Sequence, residues 1–74
     1  MWKDCRDALP PIPHRLEEAK QYRVKINSRI DMFQLGMAEE GEAVATFDDL
    51  GWCVAHKGNL VDVRPISWLD TPPA

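Results

Sequence analysis

The sequence predicts an α+β domain. One helix, continuous or interrupted by a strand, packs on a small antiparallel three-strand meander, with an extended proline-rich arm at the N-terminus. Three observations predict it. Pro10, Pro11 and Pro13 cluster near the start. Apolar residues then recur at steps of three and four across a stretch, residues 14–35, that contains neither glycine nor proline. Short runs rich in Val, Trp, Phe and Ala follow, separated by Asp, Gly and Asn, the composition of strands joined by tight turns. At 74 residues the chain is read as one domain spanning 1–74.

Each element has a local reason. Proline fixes φ, lacks an N–H and pushes its predecessor toward extended conformations, so residues 1–13 form an extended arm. Trp2, Leu9 and Ile12 are its anchors. Residues 14–37 are mainly helical. Pro13 suits a first turn, and Glu17 and Glu18 complement the positive helix N-terminus. Leu16, Ala19, Tyr22 or Arg23, Ile26, Ile30, Phe33 and Met37 make one stripe, and Gly36 terminates it. A second reading of the same residues exists. Tyr22, Val24 and Ile26 alternate with Arg23, Lys25 and Asn27, as a half-buried strand would, and Ser28 then caps a short helix over 29–38.

Residues 38–42 read as a solvated connector, and residues 43–69 carry the antiparallel strands. Ala43–Phe47 is the first strand, with a turn at Asp48–Gly51. Trp52–His56 is the second, with Trp52, Val54 and His56 on one face. Lys57-Gly58-Asn59 is a hairpin connection with positive φ expected at Gly58 and Asn59. Leu60–Arg64 is the third, stopped by Pro65. Ile66, Trp68 and Leu69 form an apolar landing, and residues 70–74 are a tail.

Composition and charge narrow the function classes. A domain this small buries only about 60% of its unfolded surface, which leaves little room for both a core and an enclosed catalytic pocket. No enzymatic role is expected. The longest apolar runs fall far short of a membrane span, and the charged start lacks the apolar stretch of a signal peptide, so a cytoplasmic protein is expected. A pI near 5.2 argues against general nucleic-acid binding. Charge is polarised. Residues 1–30 carry seven Lys or Arg against four Asp or Glu, whereas residues 31–74 carry two against eight. The resulting dipole can orient the molecule on a charged partner.

No motif specifies chemistry. Cys5, His14, Cys53 and His56 are the best metal candidates, because Cys53-x-x-His56 has half-site spacing for zinc. Cys5 and His14, eight residues and three prolines apart, match no ligand knuckle, and the set reads more simply with Cys53 in the core and His56 as a polar strand-end residue. Neither metal nor cofactor is assigned. Glu39-Glu40 and Asp48-Asp49 lack calcium-loop spacing, and the four glycines form no phosphate loop. The basic front is the remaining signal. Arginine suits bidentate contacts with carboxylates, and tryptophan is a frequent hot-spot residue. The predicted partner-binding residues are therefore Trp2, Arg6, Arg15, Arg23, Lys25 and Arg29. The alternatives are a DNA mimic or other anti-defence inhibitor, from the acidic back half, and a small zinc-binding module.

Two resemblances accompany this reading. Trp2…Leu9-Pro10-Pro11 and Ile66-Ser67-Trp68-Leu69-Asp70-Thr71-Pro72-Pro73 resemble the ends of a prophage domain family of unknown function. In length, Trp-bearing arm, basic front and acidic back, the whole chain resembles the small transcription regulator of a Xanthomonas lytic phage. That resemblance implies binding to bacterial RNA polymerase in the host cytoplasm, inhibition of initiation and antitermination. It also implies that the N-terminal half touches the β′ N-terminal region and the β flap. From composition, neither a membrane nor a sequence-specific nucleic acid is expected as partner.

Overall fold

The computed structural model describes residues 1–15 and 19–69. Its elements are β1 (Trp2–Asp4), β2 (Gln21–Ile26), α1 (Arg29–Gln34), β3 (Gly41–Asp48), β4 (Gly51–His56), β5 (Asn59–Val63) and β6 (Ser67–Leu69). All six strands join one antiparallel sheet in the order β1-β6-β2-β3-β4-β5. This corrects the expected α+β architecture of a helix on three strands. Among the described residues the chain forms a six-stranded sheet and one six-residue helix. Leu16, Glu17 and Glu18 of the expected helix, and the tail 70–74, lie outside the described residues.

The long-helix reading of residues 14–37 fails at β2. Tyr22, Val24 and Ile26 turn to the core while Gln21, Arg23 and Lys25 turn out, a period of two. Six residues of β2 pair with β3, from Gln21 opposite Thr46 to Ile26 opposite Gly41. Val24 and Ile26 end up 0% and 1% exposed, which contributes roughly 1.5–3 kcal/mol each. Cross-strand pairing therefore outweighs the coincident helical spacing. The misread stripe also placed Ile30 and Phe33 inside. They are 70% and 87% exposed; α1 instead buries Asp31, and Leu35, its C-cap, is buried behind it.

The short helix follows the second reading. Ser28 occupies the N-cap position, in extended conformation, but makes no side-chain cap hydrogen bond. At the other end the Met37 N–H donates to the Met32 carbonyl (2.8 Å) and the Gly36 N–H to that of Phe33 (3.3 Å). This is a Schellman stop, with Gly36 at φ 69°, where a Cβ would be strained.

The β3, β4 and β5 assignments agree with the sequence to within two residues, including the inward facing of Trp52 and Val54. In the β4–β5 hairpin the positive φ angles fall at Lys57 (50°) and Gly58 (81°), not at Asn59 as expected. His56 pairs with Asn59, so the loop has two residues. The N-terminal arm is not extended throughout. Trp2–Asp4 adds to the sheet beside β6, residues 5–7 turn, and the Ala8 carbonyl accepts the Trp68 indole N–H (2.9 Å).

The sheet must curl. Residues 64–66 alone connect edge strand β5 to β6, four places away in the strand order. A flat sheet would separate those strands by about 19 Å, whereas four residue steps span at most about 14 Å. Curling brings the Trp52 and Trp68 rings to 6.4 Å although two strands lie between them. Tyr22 meets both edge-on, at 5.9 and 5.3 Å, and Phe47 packs on Trp52 at 4.8 Å. This aromatic group, with Val24, Ile26, Leu35, Ala45, Val54 and Val63, is the core. Cys5, Met32 and Met37 pack against it.

Candidate functional site

The outward face of the sheet gathers three of the six predicted contact residues. Trp2 lies opposite Leu69, Lys25 opposite Ser67 and Glu42, and Arg23 opposite Val44. The alternation of β1 and β2 thus directs Trp2, Arg23 and Lys25 to one side. The Lys25 Nζ stands 4.4 Å from the Trp2 ring centroid, a cation–π contact. Trp2 is half-buried under that amine, and Arg23 is exposed. The result is an indole with two cations beside it, assembled from strands that are distant in sequence. Glu42 and Asp4 border the patch, so it is less positive than the charge of residues 1–30 suggests.

The other three predicted contacts lie elsewhere. Arg6 is committed locally: its guanidinium donates to both Asp4 carboxylate oxygens (3.3 and 3.2 Å), and its backbone N–H donates to one of them (2.8 Å). That guanidinium, and then the backbone N–H, hold the Asp4 carboxyl below the usual range, and the Asp4 carboxylate raises the Arg6 value in return. Arg29 opens α1 on the core side of the sheet, and Arg15 stands exposed in the segment after Pro13.

The thiols and imidazoles do not converge. Residues three apart on a strand point to opposite faces, so Cys53 turns out while His56 turns in and cannot share a metal with it. His14 lies beside the Pro11–Pro13 segment and Cys5 near the start of α1. Among the described residues no group of three or more His, Cys, Asp or Glu could hold a metal ion. Burial is the first cause that raises both thiols, helped by Asp4 at Cys5 and by Asp48 and Asp62 at Cys53. Both are therefore poor thiolate nucleophiles.

A second surface was missed in the sequence. An open groove of about 740 Å³ lies where α1, the end of β5, the β3–β4 turn and the N-terminal arm meet. Leu9, Ile30 and Leu50 line it and are 54%, 70% and 90% exposed. Asp31 stands in its wall, 5% exposed, and accepts the Arg64 backbone N–H (2.8 Å). Leu50 offered a signal: it is an apolar residue inside the acidic turn Asp48-Asp49, where the Asp48 carboxylate accepts its N–H (2.9 Å). Ile30 offered none, because the helical stripe assigned it to the core.

No family model, curated protein or solved structure matches the chain. Among the described residues no helix is long and apolar enough to cross a membrane.

Proposed function

We propose that this chain is a non-catalytic binding protein that docks on a larger host protein through the face carrying Trp2, Arg23 and Lys25. The partner proposed is bacterial RNA polymerase, with inhibition of initiation and antitermination as the outcome and the host cytoplasm as the place. One observation supports the docking reading most: an N-terminal indole and two cations from β2 meet on one open sheet face. A half-buried indole beside a partly desolvated amine is the composition of an interface hot spot. The polymerase rests on the whole-chain resemblance and on the acidic complement that Arg23 and Lys25 call for.

The DNA-mimic alternative finds less support. Among the described residues of the acidic half Asp31 is buried, and Glu39, Glu40 and Glu42 gather at one end of β3 and Asp48 and Asp49 at the other, rather than at regular intervals along one face. A zinc module is disfavoured by the separation of Cys53 from His56. The test is affinity purification from bacterial lysate at low salt, with identification of the bound chains. Polymerase subunits retained by the wild type and lost by Arg23→Glu/Lys25→Glu support the proposal. A purification that recovers no polymerase subunit refutes it.

A further inference from the structure

Strand β5 ends the sheet on one side, and its free edge has a regular hydrogen-bonding pattern. The two-residue loop at Lys57-Gly58 makes His56 and Asn59 a hydrogen-bonded pair. Antiparallel ladders alternate, so Val61 and Val63 also bond to β4, while Leu60 and Asp62 point their N–H and C=O groups away from it. Among the described residues no backbone partner satisfies those four groups. Edge strands are ordinarily blunted by proline, charged side chains, a bulge or a covering helix. Asn59-Leu60-Val61-Asp62-Val63 has no proline and a single charge at Asp62, its register with β4 runs without a bulge, α1 takes up only the Arg64 N–H just past its end, and Leu60 is 75% exposed.

We infer that a second copy of this chain pairs along β5, in an antiparallel two-fold arrangement centred on Val61. With Val61 opposite Val61 of the other copy, Leu60 falls opposite Asp62 and Asp62 opposite Leu60. The outward N–H and C=O of each then exchange bonds, four in all, and every free polar group of both edges is used. This register also avoids placing Asp62 against Asp62, a directly opposed like-charge pair that destabilises a ladder. The pairing ends there, because the Arg64 N–H is already donated to Asp31 and Lys57-Gly58 belongs to the turn. The opposite edge, β1, is a poorer partner with only three residues. A head-to-tail β1–β5 contact would not close on itself, whereas the β5–β5 contact does. An interface of one five-residue strand falls well below the roughly 1,200 Å² of a stable complex, so the dimer is weak and concentration-dependent.

The test is sedimentation velocity of the whole protein over a concentration series from micromolar to about millimolar, with Leu60→Pro and Asp62→Pro alongside. Each proline removes an N–H that points away from β4, which an edge strand tolerates. The expected result is a monomer–dimer equilibrium in the wild type that either proline shifts at least tenfold toward monomer, with near-ultraviolet circular dichroism unchanged. Should both prolines unfold the protein, Val61→Cys decides: under mild oxidation it forms a dimer whose peptide map shows residue 61 joined to residue 61. A wild type monomeric throughout, self-association indifferent to a folded proline variant, or a Val61→Cys protein that does not cross-link through residue 61 overturns the inference. A monomer that instead pairs with another protein's strand at this edge overturns it as well.

Discussion

Removal of the Asp31 carboxylate is expected to loosen the crossing from β5 to β6. Asp31 sits in the first turn of α1, 5% exposed, and its Oδ2 accepts the Arg64 backbone N–H at 2.8 Å. That bond ties the helix to the three residues that carry the chain from one edge of the sheet to β6. A hydrogen bond to a charged group contributes about 1.5–3 kcal/mol, and its loss here also strands a part-buried donor. Asp31→Ala should therefore cost about 2 kcal/mol. In a domain of this size 1 kcal/mol corresponds to roughly 4–8 °C, so the melting temperature should fall by about 8–16 °C. Asp31→Asn keeps an oxygen acceptor and loses only the charge assistance, which is about half of such a bond. It should cost about 1 kcal/mol, or roughly 4–8 °C. The assay is thermal unfolding followed in parallel by near- and far-ultraviolet circular dichroism, whose coincidence verifies a two-state transition. An alanine variant within about 2 °C of wild type, or an asparagine variant as damaged as alanine, would refute the reasoning.

Four further outcomes follow from the same geometry. Trp68→Phe deletes the donor to the Ala8 carbonyl, so proteolysis between residues 8 and 15 should accelerate while the strands stay protected in hydrogen exchange. Gly58→Ala meets no atom within 4 Å but forces φ 81° on a residue with a Cβ, so it should cost about 1–2 kcal/mol, measurable by urea titration, and Gly58→Asn less. Asp4 should titrate below a free aspartate in an NMR pH series, and Arg6→Gln should bring it back up; the stabilisation it lends is present above the unfolded-state value and lost as pH falls through the folded one. Cys5 and Cys53 should react slowly with a disulfide reagent at neutral pH, with a rate that rises only at more alkaline pH than for a free thiol. Because the folded thiols ionise later than the unfolded ones, their effect on stability turns unfavourable as pH rises past the unfolded-state value.

The legible parts of this fold were those with two-residue periodicity and punctuated ends. From Ala43 to Val63, alternation and the turns at Asp48–Gly51 and Lys57-Gly58 allow one register only, since a one-residue slip would turn Trp52 and Val54 out to water. Residues 19–37 carried two periods at once. Tyr22, Ile26 and Ile30 satisfy a helix, and Tyr22, Val24 and Ile26 satisfy a strand. Only the presence of β3 and β6 as neighbours on both sides of β2 decides between them. β1 and β6 were illegible for the same reason, because three residues form a strand only when a partner is already in place. Of the candidate site, the residue types were readable but their grouping was not. Arg6 is drawn off by Asp4 two residues away, whereas Lys25 reaches Trp2 across a strand that joins them only in the folded sheet.

Sequence alone determined the small size, the polarised charge, the strands β3, β4 and β5 with their inward faces, and the helix stop at Gly36. These depend on interactions within a few residues or on the two-residue repeat of the backbone. Tertiary structure decided that β2 is a strand, that β1 to β6 share one sheet that curls, that Trp2 joins Lys25, and that Ile30 and Leu50 rim a groove. Each of those depends on residues far apart in sequence, whose pairing energy appears only once the chain has closed the loops between them.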